Sequence, residues 1–137
     1  MSELYTQVRE FFDVYERALA GGDAATISAL YADAFMFGDP RGVQPVKKED
    51  FLRVLPRRAE FFRSAGLLSS NLESVEASPL DARYVLVKTV WVMRFARGAG
   101  EPALSRNSAS YILQTAADSF QIVFQLDHQD LAERARQ

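Results

Sequence analysis

The hydrophobic period changes once along the chain, and that change limits what the chain can fold into. Early on, Leu4, Val8, Phe11, Phe12, Tyr15 and Leu19 recur in steps of three and four. That spacing gathers apolar side chains on one face of a helix. Later, Val85, Val87, Thr89, Trp91, Met93 and Phe95 take every second position, with Tyr84, Leu86, Lys88, Val90, Val92 and Arg94 between them. A period of two sends the two sets to opposite faces of a strand. Helices first and strands afterwards predict an α+β domain with segregated elements, and argue against a βαβ dinucleotide fold.

Local punctuation divides the rest. Gly21-Gly22 ends the first helix, and Asp23 caps a second whose buried side is Ile27, Leu30 and Tyr31. A short strand is expected at 35–38, then a turn at Asp39-Pro40-Arg41-Gly42. A third helix begins near Lys47 with Phe51, Leu52, Leu55 and Phe62 facing inward, and Pro56 predicts a break or kink in it. Gly66 closes this helical half. Further strands are expected at 68–77, 105–114 and 120–127, with turns at 97–102 and 115–119. The expected architecture is a cone: one bent antiparallel sheet, covered by three N-terminal helices and enclosing one pocket. Residues 1–137 form a single domain without repeats or linkers. Both faces of the strand at 84–95 carry apolar groups, which marks the outer face as a candidate subunit interface.

Composition narrows the function classes. A net charge of −2 argues against nucleic acid as the main partner. The chain has no cysteine, so disulfide and thiolate chemistry are excluded. Its first residues lack the basic start and apolar run of a signal peptide. No apolar stretch approaches the roughly 20 residues of a membrane span. A soluble, cytoplasmic protein is expected. With one histidine and no carboxylates at ligand spacing, metal binding is not indicated. Neither a Gly-x-Ser-x-Gly elbow nor a phosphate loop or dinucleotide fingerprint appears. The expected site is free of cofactor and metal.

Candidate chemistry rests on few side chains. Asp39 reads either as a base at a cavity mouth, made more basic beside Phe35 and Phe37, or as a turn starter bonding the backbone. Tyr15 carries a hydroxyl on an apolar helix face; its partner is either a ligand oxygen or a backbone carbonyl. His128, by alternation, continues the face of Ile122, Phe124 and Leu126 into the cavity and would pair with Asp39; otherwise it is an exposed strand end. Phe12, Phe35, Phe37, Phe62, Trp91, Tyr111 and Phe124 are candidates to line a pocket or to fill the core. Arg41 either binds an anionic ligand or pairs with a neighbouring acid.

Tyr15, Gly22-Asp23, Tyr31-Ala32-Asp33 and Asp39-Pro40, in that order and without a gap, resemble the start of the ketosteroid isomerases. The order of elements over nearly the whole chain resembles their nuclear-transport-factor-2-like superfamily, with its SnoaL-like cyclases. The resemblance implies that Tyr15 donates to a forming oxyanion and that Asp39 is the general base. The isomerases add a protonated aspartic acid on a later strand; the matching position here is Ser110, in Ser108-Ala109-Ser110-Tyr111, so a hydroxyl donor stands where the acid would. The resemblance implies a cofactor-independent isomerase, cyclase or dehydratase that abstracts a proton from a small apolar ligand. Its alternative is a non-catalytic ligand-binding or dimerisation module. It also implies a homodimer packed through the sheets.

Overall fold

The apolar face read from the first helix is buried: Val8, Phe11, Phe12, Tyr15 and Ala18 face inward from α1 (Glu3–Gly21). Leu19, assigned to the same face, is 41% exposed. It sits in the last turn, just before Gly22 adopts a positive φ of 63° and ends the helix. Asp23 then caps α2 (Ala24–Leu30), its carboxylate accepting from the Thr26 N–H at 3.1 Å. The computed structural model describes residues 3–136. Met1, Ser2 and Gln137, included in the expected domain 1–137, lie outside the described residues.

Tyr31 opens β1 (Tyr31–Asp39) rather than closing α2, and it is fully buried. β1 turns at Pro40-Arg41 into β2 (Gly42–Lys47), a hairpin partner that its charged and proline-containing sequence does not announce. α3 (Lys48–Ser64) follows. It continues through Pro56, where a break or kink was expected. Phe51, Leu52 and Leu55 pack on the core before the proline and Phe62 packs after it. Anchors on both sides offset the hydrogen bond that Pro56 cannot donate.

β3 (Leu67–Pro79), β4 (Tyr84–Phe95), β5 (Ala103–Ala116) and β6 (Ser119–Asp127) complete a six-stranded sheet in the order β2-β1-β6-β5-β4-β3. Register shifts in β3 against β4 and in β6 against β5 bend it. One pairing departs from the antiparallel expectation: β1 runs parallel to β6. No tight turn joins these two strands, so turn geometry does not dictate their direction. A fourth helix, α4 (Leu131–Arg136), was not expected. Its Ala135 joins Phe62, Met93 and Phe95 in a second small core cluster. Among the described residues no helix is long and apolar enough to cross a membrane.

The main core lies between α1, α2 and the inner face of the sheet. Rings fill it. Phe12 and Tyr111 have centroids 4.8 Å apart, Tyr15 and Trp91 5.9 Å, Tyr31 and Phe35 4.7 Å, Tyr31 and Phe51 4.7 Å. Space expected to be a pocket around Tyr15 is therefore occupied by side chains. Two surface depressions lie elsewhere. One, of about 570 Å³, lies between α3 and α4. The other, of about 830 Å³, lies between α1 and the β3–β4 and β5–β6 turns.

Candidate functional site

Buried polar side chains are rare here, so those that exist need partners. Among the described residues Thr89, Asn107, Gln125 and Asp127 are buried, and all four lie on β4, β5 and β6. Thr89 bridges the Trp91 indole, from which it accepts at 3.0 Å, and the Ala109 carbonyl, to which it donates at 3.0 Å.

A bulge places Gln125 and Asp127 inside. Leu113 pairs with Ile122 but Ile112 pairs with Phe124, so Val123 is an extra residue with no partner. An extra residue reverses the faces of everything after it. Ile122 is buried, then Gln125 and Asp127, while Phe124, Leu126 and His128 turn outward.

A directional hydrogen-bond chain leads to Asp127. The Tyr15 and Tyr31 hydroxyls are 2.7 Å apart. The Tyr31 hydroxyl donates to Gln125 Oε1 at 2.5 Å, and Gln125 Nε2 donates to Asp127 Oδ1 at 3.3 Å. Since Tyr31 spends its proton on Gln125, Tyr15 must donate to Tyr31. Burial raises the pKa of Tyr15, Tyr31 and Tyr111, so all three stay protonated. The partners of Tyr15 are thus other tyrosines, Tyr31 and Tyr111, neither of the two kinds weighed from sequence.

Asp127 sits with its side chain 8% exposed and its Oδ2 3.9 Å from the Arg58 guanidinium on α3. Burial raises its pKa; Arg58 and the Gln125 amide pull it back, and Asp39 pushes it up again. Asp39 lies near it on β1: the parallel pairing runs to Gly38–Leu126, the residues just before Asp39 and Asp127, and the Asp39 charge acts on Asp127. A Cβ at Gly38 would lie 2.7 Å from Val43 Cγ2 and 3.0 Å from Leu126 Cδ1, so a larger residue there would have to push those two side chains aside. Asp39 itself accepts from the Arg41 backbone N–H and from its guanidinium, each at 2.9 Å. The Arg41 side chain holds the Asp39 pKa below its ordinary value.

A family model for the NTF2-like protein family DUF6841 matches residues 2–130. The chain belongs to this NTF2-like family. No curated protein matches it. Among solved structures it resembles Aln2 from a Streptomyces species, at 17% identity and a TM-score of 0.78 over 99% of this chain and 98% of that one. It also resembles an NTF-2 like protein from Shewanella oneidensis, at 12% identity and a TM-score of 0.73 over 91% and 98%. A putative scytalone dehydratase from Novosphingobium aromaticivorans matches at 10% identity and a TM-score of 0.72 over 90% and 81%. At these identities the likeness is one of fold.

Within the NTF2-like cone the sequence-derived candidates separate into three groups. Tyr15, Phe12, Phe35 and Trp91 are in the filled core, Phe37 packs against it, and Phe62 is in the second cluster. Asp39 and Arg41 stand at the rim beside Asp127. His128, Ser110 and Phe124 lie on the other face of the sheet. Phe124 pairs with Ile112 there, and the His128 Nε2 and Ser110 Oγ are 2.7 Å apart. The inward turn expected of His128 is corrected by the Val123 bulge. The expected face of Ser110 is corrected by the alternation of β5, which buries Ala109 and Tyr111 on either side of it. Sequence reading missed Asp127, Gln125, Tyr31 and Arg58 as site residues. A usable signal was Gln125-x-Asp127, two polar residues at a period of two in an apolar strand. Among the described residues no three acidic or histidine side chains converge as metal ligands would.

Proposed function

We propose that this NTF2-like protein is a cofactor-independent acid–base protein for a small ligand, of the isomerase, cyclase or dehydratase class, with its chemistry at the rim where β1 and β6 end. One observation carries the reading: two adjacent carboxylates whose proton affinities are pushed apart. Arg41 keeps Asp39 ionised, while burial favours a proton on Asp127. Carboxylates in unlike settings divide acid and base work between them. Asp127 is the proton carrier in this reading, and Asp39 is the fixed negative neighbour that sustains its basicity. The fold likeness to a putative scytalone dehydratase supports the class.

Carboxyl carbon-13 NMR tests the split. Asp127 is expected to titrate above the ordinary aspartate value and Asp39 below it, with the higher transition absent in Asp127→Asn. Coincident transitions at the ordinary value would remove the basis for acid–base work. Stability carries the same sign. A carboxyl whose folded pKa is raised binds more protons folded than unfolded, so stability falls as pH rises from about 4, the unfolded value, through the folded one. Asp127→Asn is therefore expected to flatten that decline and to match or exceed the wild-type Tm at neutral pH.

A second reading, a non-catalytic dimerisation module, is favoured by the ring-filled interior and by the outer face of the sheet. Leu86, Val90, Val92, Ile112, Phe124 and Leu126 lie there half-buried, with Leu104 exposed beside them. Such a face suits a homodimer through the sheet. Sedimentation equilibrium is expected to show a dimer that Ile112→Lys dissociates. A wild-type monomer at every concentration would discard the interface.

A further inference from the structure

Proton abstraction next to a carbonyl leaves negative charge on an oxygen, and that oxygen needs a donor. The resemblance assigned this task to Tyr15. In the structure the Tyr15 proton is committed to Tyr31 and the Tyr31 proton to Gln125, both inside a filled core. The Arg41 guanidinium is committed to Asp39. Arg58 differs. Its guanidinium stacks over the Phe62 ring, 5.1 Å from the centroid, one helical turn further along α3. It lies 3.9 Å from Asp127 Oδ2, which is attraction without a hydrogen bond. Among the described residues none accepts a hydrogen bond from it. The side chain is 44% exposed, so a ligand can reach it from solvent.

From this geometry we infer that Arg58, rather than Tyr15, receives the substrate oxygen, and that the substrate is a small oxo carboxylate. This rests on the acid–base reading of Asp127. A planar guanidinium with unspent N–H groups matches two coplanar oxygens, as carried by a 2-oxo acid, better than one ketone oxygen. The chemistry balances without a co-reactant. The C–H bond next to the carbonyl breaks, and its proton passes to Asp127 Oδ2. The electron pair forms the carbon–carbon double bond, and the carbonyl electrons move to oxygen on Arg58. Reversal returns a solvent proton to carbon. Substrate on Arg58 also draws that guanidinium away from Asp127, which removes an influence lowering its proton affinity. Binding thereby makes the base stronger.

Phenylpyruvate and its uncharged counterpart phenylacetone serve as probes, with binding read by calorimetry and benzylic deuterium exchange by NMR. The wild-type chain is expected to bind phenylpyruvate about tenfold more tightly, as a charge-assisted hydrogen bond allows. Affinity should rise as pH falls, with proton uptake seen in buffers of different ionisation heat. Arg58→Met keeps an apolar stem over Phe62 and should erase the preference. Arg58→Lys, the variant least disturbing to the fold, should restore only part of it. Equal binding of both probes, binding of neither, or an unchanged preference in Arg58→Met overturns the inference. Asp127→Asn separates the two ideas: it should slow exchange about 100-fold, the lower bound for a lost general base, and leave the preference intact. Exchange that persists in Asp127→Asn would sink the acid–base reading while the Arg58 preference stands or falls on binding alone.

Discussion

Phe12→Ala is expected to destabilise the fold by about 4 kcal/mol, in the range for truncating a buried phenylalanine. Phe12 has no exposed surface. Its ring meets Phe11 at 5.1 Å, Tyr111 at 4.8 Å and Tyr15 at 5.9 Å, centroid to centroid. Collapse into the void is hindered, because Tyr111 belongs to a central strand and Tyr15 is held by its hydrogen bond to Tyr31. A loss of this size is a large share of the roughly 5–15 kcal/mol that a domain has in total. Urea denaturation gives the value. Phe11, which is 8% exposed and meets Phe120 at 6.1 Å beside the depression between α1 and the β5–β6 turn, should cost less on the same change. A Phe12→Ala loss below about 2 kcal/mol would mean that the interior is looser than its ring contacts imply.

The second large effect concerns one oxygen atom. Tyr31→Phe is expected to cost about 3 kcal/mol, and Tyr15→Phe only about 1 kcal/mol. Burial is nearly the same, with Tyr31 at 0% and Tyr15 at 4% exposed, so area burial predicts no such gap. Direction does. Tyr31 both accepts from Tyr15 and donates to Gln125, and its loss strands a donor and an acceptor in the core. Loss of the Tyr15 hydroxyl disturbs Tyr111, which also interacts with it, but leaves the Tyr31–Gln125–Asp127 links in place. Paired denaturation curves decide the matter, and equal costs would show that the chain lacks the direction assigned to it. Tyr31→Phe should also raise the Asp127 pKa, since a Gln125 amide without its Tyr31 donor no longer holds one orientation toward the carboxylate.

Much of the scaffold was legible because its signals are local. Steps of three and four announced α1, Gly22 and Asp23 marked where it stops and α2 starts, and strict alternation announced β4. Asp39 was legible as a turn residue at the end of β1, and its place beside a second acid was not. That second acid depends on long-range pairing: β1 against β6 in parallel, a pairing that no hairpin turn encodes. β2 was hidden by Gln44, Pro45 and Lys47, which read as loop yet pair with β1 through the backbone. α4 is too short for a period to show. The site was less legible than the fold for one physical reason. Alternation assigns faces only while the strand keeps its count, and β6 loses count at Val123. His128 and Phe124 were read inward by the same rule that read β4 correctly.

Val123 therefore works as a hinge in the genetic text as much as in the strand. Loss of one codon there is expected to exchange the inward Gln125 and Asp127 for Phe124, Leu126 and His128. An alignment that places the extra residue one column away assigns Gln125 and Asp127 to the wrong side of the sheet.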